Sequence, residues 1–397
     1  MSAQSFTLRP EHELLLCCAR TGQESENAAR IRFLAGQKLD WPYFRTIAQR
    51  NRVVPLVFES LRQFAGTAPA EDLEWFRSAY CENAGRNLFL GSCLVHILAT
   101  LEAASIPAIP IKGPVLAVTA YGNLALRQIA DLDILVCRVD LDRAIDVAVS
   151  NGYRWNHPSG KKVRPICLPN QYHCTLINDR ANVIELHSEL TGKHYCFPLS
   201  TDELFQRTHT VRFLGSEVRN LSPEDLLVYL CMHGAKHSWS ALEYVCSVAE
   251  VIRNSTGLDW EAVERLVRRL RTERIVALGL RLSEDLLGIQ PPRSVGAHAS
   301  KDRALEPLVA QVKRNLFLMA DKTSEYVEAP WLYMRSRERF ADRLRYCALG
   351  LCLPDDEDVE ALLLPGWLAP LYWAIRPPRV LAAYWASVIK HTIRTAS

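Results

Sequence analysis

At Pro107 the chain changes its hydrophobic period, and that change restricts the folds open to it. Before this point the pattern is helical. Leu14, Leu15, Leu16 and Cys18 open one apolar face. Trp41, Phe44, Ile47 and Ala48 repeat at helical spacing, as do Leu88, Leu94, Leu98 and Leu101. After Pro107 short apolar runs take over: Ala108 to Ile111, Ile134 to Cys137, Cys174 to Ile177 and Val183 to Leu186. Each has the length of a strand and is bounded by Pro, Gly, Asn or Asp. Helix-like pieces, Val115 to Tyr121 and Leu141 to Ser150, lie between them, the second stopped by Asn151-Gly152.

From Ser222 the pattern is helical again. Ser222-Pro223-Glu224-Asp225 supplies a cap, a proline at the first position and acids in the first turn. Further helices are predicted over roughly 260–287, 302–322 and 333–350. Gln290 to Ser294 and Leu353 to Asp356 read as loops. The expected fold is α+β or mixed α/β: a mixed sheet flanked by helices, with helical N- and C-terminal regions. The expected division is 1–84 helical, 85–215 the α/β core and 216–397 helical.

The chain has 397 residues, 49 % of them hydrophobic and 23 % charged, which supplies a sizeable core. A net charge of +3 does not mark a dedicated nucleic-acid binder. Twelve cysteines include no Cys-x-x-Cys pair, which argues against a structural zinc site. Reduced core thiols and a cytoplasmic location are expected. The N-terminus lacks the pattern of a signal peptide, and no integral membrane segment is expected. The nearest candidate, Ala361 to Lys390, is interrupted by Pro365, Pro370, Pro377 and Pro378 and reads as a packed C-terminal helix, with an interfacial membrane contact as the alternative.

Asp131 and Asp133 stand two apart at the start of a predicted strand. Strand side chains alternate, so both carboxylates share one face while Leu132 and Ile134 take the other. Two carboxylates on one side of a strand edge suit a hard divalent cation, which completes its shell with water and phosphate oxygens. Upstream, Lys112 and Gly113 fall between a short strand and a helix, where a glycine lets the backbone approach a phosphate. Downstream, Glu185 and His187 share one face of another strand. Glu185 can add a third carboxylate, or the two can be the polar face of a half-exposed strand.

His233 and His237 share a helix face, with Lys236 and Trp239 nearby. Residue 234 is Gly, so the glutamate of a zinc-protease motif is absent. The face can meet a nucleotide or simply pack. Arg127, four before Asp131, can grip a phosphate or pair with the acids of that strand. Gly160 to Arg164 is a basic loop, either solvated or guiding an anion. Arg265, Arg268, Arg269, Arg271 and Arg274 make a basic helical stretch that reads first as a solvated face.

Taken in order, Ile111-Lys112-Gly113-Pro114, Tyr121, Arg127-x-x-x-Asp131-Leu132-Asp133-Ile134-Leu135-Val136, Gly152-Tyr153, Glu185-Leu186-His187 and His233-Gly234-Ala235-Lys236-His237-x-Trp239 are similar to a bacterial family of uncharacterised nucleotidyltransferases. That family lies within the superfamily typified by DNA polymerase beta. The resemblance is carried by residues 85–255. It implies two divalent ions, Mg2+ or Mn2+, held by Asp131, Asp133 and Glu185. It implies a nucleoside triphosphate donor such as ATP, with transfer of a nucleoside monophosphate to a hydroxyl and release of pyrophosphate. Lys112, Gly113 and Arg127 then hold the triphosphate, and His187, His233, Lys236 and His237 fall to nucleotide binding. Two departures stand out. The phosphate turn is Gly113-Pro114, and proline offers no amide. It also lies eighteen residues before Asp131, where about ten is common in the superfamily. The alternatives are a catalytically inactive nucleotide-binding protein and a phosphoryl transferase on the same fold. The acceptor is open among a small molecule, a peptide or protein and an RNA end.

Overall fold

The computed structural model describes residues 8–22, 25–64, 66, 68–155, 172–292, 302–317, 330–362 and 364–396. The basic loop 160–164 and the predicted helical positions 318–322 lie outside these residues.

Five strands form the mixed sheet: β1 (Ala108–Pro110), β2 (Leu132–Val136), β3 (Tyr153–Trp155), β4 (His173–Asn178) and β5 (Val183–His187), in the order β1-β2-β5-β4-β3. Only β2 and β5 run parallel; the other neighbours are antiparallel. Helices flank the sheet, as the α+β expectation required. The N-terminal helices are α1 (Pro10–Cys18), α2 (Ser25–Ala35), α3 (Trp41–Arg50), α4 (Val54–Leu61) and α5 (Ala70–Ala103). Helices α6 (Gly113–Thr119), α7 (Leu141–Ser150) and α8 (Thr201–Gln206) connect the strands and follow them.

Alternation along β2 separates two cores. Leu132, Ile134 and Val136 join Leu176, Ile184 and Leu186 under α5 and α7. Leu135 faces the other way, into a larger core built by the N-terminal helices and by α9 (Pro223–Lys236), α10 (Leu242–Asn254), α11 (Trp260–Leu270), α12 (Glu273–Leu287) and α13 (Leu305–Phe317). Asp133 shares the face of Leu135, so its carboxylate lies between sheet and helices.

Capping fixes α9 as predicted: Ser222 accepts a hydrogen bond from the Asp225 amide, and Pro223 opens the first turn. The predicted helix 260–287 is two helices. Arg271 takes a left-handed backbone (φ 56) that ends α11 before α12 begins. A hairpin of β6 (His209–Phe213) and β7 (Ser216–Asn220) was not predicted. Its two turn residues, Leu214 and Gly215, both have positive φ, the geometry that matches strand twist, but Leu is not a residue that announces such a turn.

The apolar face of α5 is Leu90, Leu94, Ile97 and Leu101; Leu88, expected on that face, is 55 % exposed. This 34-residue helix runs through position 84, and position 215 lies in the turn of the β6–β7 hairpin. Among the described residues α5 alone is long and apolar enough to cross a membrane by length and composition, contrary to the expectation that no run would be. Its Asn87 side chain donates to the carbonyls of Leu124 and Arg127, both at 2.7 Å, which ties it into the fold as a core helix. Nearer the C-terminus, α14 (Phe340–Cys352) and α15 (Asp356–Ala361) precede α16 (Tyr372–Ala396), which continues through Pro377 and Pro378 rather than breaking there. Arg376 anchors its first turn on Asp358 at 2.7 Å. Trp367, Trp373 and Trp385 around it stay largely exposed, so the helix packs less completely than expected.

Candidate active site

Backbone pairing builds the centre. Asp133 lies opposite Glu185 in the parallel β2–β5 ladder, and His187 follows Glu185 on the same face. Ile111 donates its amide to the Asp133 carbonyl at 3.1 Å, which carries the next residue, Lys112, to the carboxylate. From α5, Asn83 and Asn87 hold the carbonyls of residues 124, 125 and 127, fixing the approach to Asp131.

His187 Nε2 lies 3.0 Å from Asp133 Oδ1 and 3.3 Å from Glu185 Oε2. Lys112 Nζ lies 3.0 Å from Asp133 Oδ2 as an ion pair, without the alignment of a directed hydrogen bond. One ligand atom from each of Asp133, Glu185 and His187 falls within a sphere of contact no wider than 4.8 Å, a group able to hold a metal ion. Asp131, expected beside them, is outside this group and makes no hydrogen bond or ion pair among the described residues.

The electrostatics follow from burial. It pushes the Asp133 carboxyl up, but Lys112 and His187 outweigh it and hold the group well below the usual carboxylate range. Burial pulls Lys112 down, and Asp133, with Tyr229 and Asp131, more than reverses that. His187 is raised because hydrogen bonds to Asp133 and Glu185 outweigh its burial. Asp131 moves the other way: burial, then the charge of Asp133, raise it. Lys112 and Arg127 oppose that rise without outweighing it.

Lys112 and Gly113 are where the phosphate turn was expected. Gly113 has φ +65, a conformation glycine adopts without strain, and Pro114 sits inside the first turn of α6, where its missing amide costs no helix bond. Arg127 is buried and pairs with Glu243 of α10 at 2.6 Å rather than with Asp131 or Asp133. Lys236 donates to the Tyr172 hydroxyl at 2.8 Å and feels the charges of Glu185 and Asp133. His233 and His237 pack on each other and on Tyr244, with ring centroids 4.6–5.5 Å apart. Burial lowers both, His237 to about 3, so both are neutral at pH 7. Neither joins the metal-competent group. Trp239 is fully buried against Gly234 and Gly279, so it packs rather than meeting a nucleotide.

Sequence reasoning missed Tyr172, His173 and Tyr229. His173 pairs with His187 across β4 and β5, and their rings stack at 5.2 Å. The polar positions of the β4 run carried that signal. Tyr229 is on the buried side of α9; burial pushes its phenol up while Lys112 opposes.

A family model described as uncharacterised nucleotidyltransferase matches residues 37–288. The chain belongs to this family. The match takes in α3 to α12, so the nucleotidyltransferase region reaches beyond the 85–255 stretch that bears the motifs. No curated protein and no solved structure gave a match.

Proposed function

We propose that the protein transfers a nucleoside monophosphate from a nucleoside triphosphate to an acceptor hydroxyl. The bond between the α-phosphorus and the pyrophosphate oxygen breaks as one to the acceptor oxygen forms, and pyrophosphate leaves. The observation that carries this reading is the register that sets Asp133 beside Glu185, with Asp131 two residues before it and Lys112-Gly113 against it.

The donor set fits a divalent cation. Asp133 Oδ2 is buried and has no hydrogen-bond donor aligned on it, and three carboxylates share one side of the sheet with Lys112 as the nearby cation; His187 would ligate only once its Nε2 had released its proton. Asp133, Glu185 and His187 would hold the ion, with Asp131 at the edge. An imidazole in the set suits Mn2+ better than Mg2+. Such an ion neutralises charge on the triphosphate and polarises its reacting phosphate. The chain's own residues do the positioning. Lys112 leaves or shares Asp133 and binds the phosphate tail as a point charge. Glu185, the more accessible carboxylate of the pair at 23 % exposure, orients the acceptor hydroxyl and takes its proton. Lys236 and Tyr172 flank the nucleotide.

The test is a triphosphate panel with Mn2+ or Mg2+ and label on either phosphate. Label from the α-phosphate on an acceptor, with pyrophosphate release abolished in Asp133→Ala, supports the reading. Label from the γ-phosphate makes the protein a phosphoryl transferase and sinks it. One observation favours a second reading, a nucleotide binder without turnover: Lys112 already neutralises Asp133, and Pro114 offers no amide. Nucleotide binding with no label transfer under any condition selects it.

A further inference from the structure

A cavity of about 650 Å³ opens between the segment after β5, the turn joining α11 to α12, and α14. That volume suits a small-molecule ligand. Asp133, Glu185 and His187 are not among its walls.

Four arginines line it: Arg269, Arg271, Arg337 and Arg345. The acids on its walls are Glu189 and Asp342. Arg337 is the most buried of the four, with 1 % exposure. Its Nη2 donates to Asp342 Oδ2 at 3.1 Å, but its Nε and Nη1 are buried with no hydrogen-bond partner. A guanidinium stays ionised under all physiological conditions, so these donors cannot be silenced by losing a proton. Leaving them unmade is costly, and buried donors in folded proteins are normally satisfied. The residue is also held in place from behind: its carbonyl accepts from Arg274 Nη1 at 2.9 Å and from Arg343 Nε at 2.8 Å.

The basic stretch of α11 and its C-terminal turn explains the rest. Arg265 and Arg268 pair with acids on or next to their own helix, Arg269 with Glu203 and Arg274 with Asp302. Arg271, turned out by its left-handed backbone, makes no ion pair among the described residues, and neither does Arg345 of α14. The cavity thus has, among the described residues, one arginine in its wall whose buried Nε and Nη1 lack partners and two exposed ones with uncommitted charge.

We propose that this cavity binds a small phosphate-bearing ligand through Arg337, Arg271 and Arg345. Planar guanidinium donors match the oxygens of a phosphate, and the excess of positive charge matches a dianion better than a single carboxylate. The site is separate from the proposed transfer chemistry and does not depend on it.

The probe is inorganic phosphate, titrated calorimetrically into the full chain in metal-free buffer. Saturable binding is expected. The double variant Arg271→Ala/Arg345→Ala, altered only at exposed side chains, should keep its unfolding transition and bind phosphate about tenfold or more weakly. Arg337→Met should abolish binding; if that variant does not fold, the double variant decides. Glu185→Gln should bind phosphate as the wild type does. Absence of saturable binding, or affinity unchanged in the double variant, would overturn the proposal. Loss in Glu185→Gln but not in the double variant would place the phosphate at the β2–β5 centre instead. Arginine-dependent binding of citrate but not of phosphate would make this a carboxylate site, and the phosphate assignment would fall.

Discussion

Lys112 Nζ and Asp133 Oδ2 stand 3.0 Å apart in a buried setting, so the carboxylate at the centre of the sheet already has a cation of its own. The lysine occupies the side of Asp133 opposite the oxygen that meets His187. Removing it strands a buried charge. Lys112→Met should lower unfolding free energy by about 3–5 kcal/mol, the usual cost of breaking such a pair. Mn2+ at hundredfold excess over its dissociation constant should restore about 2.7 kcal/mol. Urea titration with and without Mn2+ measures both. A variant as stable as wild type without metal would show that the pair holds nothing together.

The structure and the family resemblance divide over Asp131. If Asp133, Glu185 and His187 are the ion's ligands, Asp131→Asn should retain Mn2+ binding and His187→Ala should lose it. If the resemblance carries over residue by residue, the order reverses. Mn2+ affinity by electron paramagnetic resonance separates the two. In the labelled-triphosphate assay, Asp133→Asn should cut turnover at least about a hundredfold.

Gly234 and Gly279 make room for Trp239. A Cβ at residue 234 would sit 2.5 Å from Trp239 Cζ3, and one at residue 279 would sit 2.7 Å from Cys231 Sγ. Alanine normally gains about 1 kcal/mol over glycine in a helix. Here overpacking should cost about 1–3 kcal/mol and outweigh that gain. Gly234→Ala should therefore be less stable by chemical denaturation, with a shifted tryptophan emission.

His237 is neutral when folded, because burial lowers it to about 3. Its unfolded value is about 6.5, so the unfolded chain takes up a proton first as pH falls. The stability it contributes is complete above about pH 6.5 and declines from there down to about 3, by at most about 1.4 kcal/mol per pH unit. His194, lowered by burial to about 4, acts in the same direction. Unfolding free energy measured from pH 7 to 5 should fall less steeply in His237→Gln than in the wild type. Equal slopes would show that His237 is protonated in the folded state.

Much of the site was legible because its parts are local. The Asp131-x-Asp133 strand, the Lys112-Gly113 turn and the Glu185-x-His187 strand each follow from alternation and turn chemistry within a few residues. What joins them is not local. Nothing near residue 133 announces that β5 will be its parallel neighbour, or that His187 will reach Asp133 across fifty-four positions. Arg127 was ambiguous for the same reason: its partner, Glu243, lies on a helix more than a hundred residues later. The β6–β7 hairpin went unseen because Leu214 fills a turn position where asparagine or glycine is the usual signal. The left-handed Arg271 hid a helix break in the same way.

Helix α5 joins what the sequence divides. Phe76, near its start, belongs to the core of the N-terminal helices, while Leu90, Leu94, Ile97 and Leu101 belong to the core beneath the sheet. Each half of the helix buries its apolar positions against a different set of partners. One unbroken rod is thus shared by the two cores, with no loop between Phe76 and Leu90 at which the sheet and the N-terminal helices could be parted.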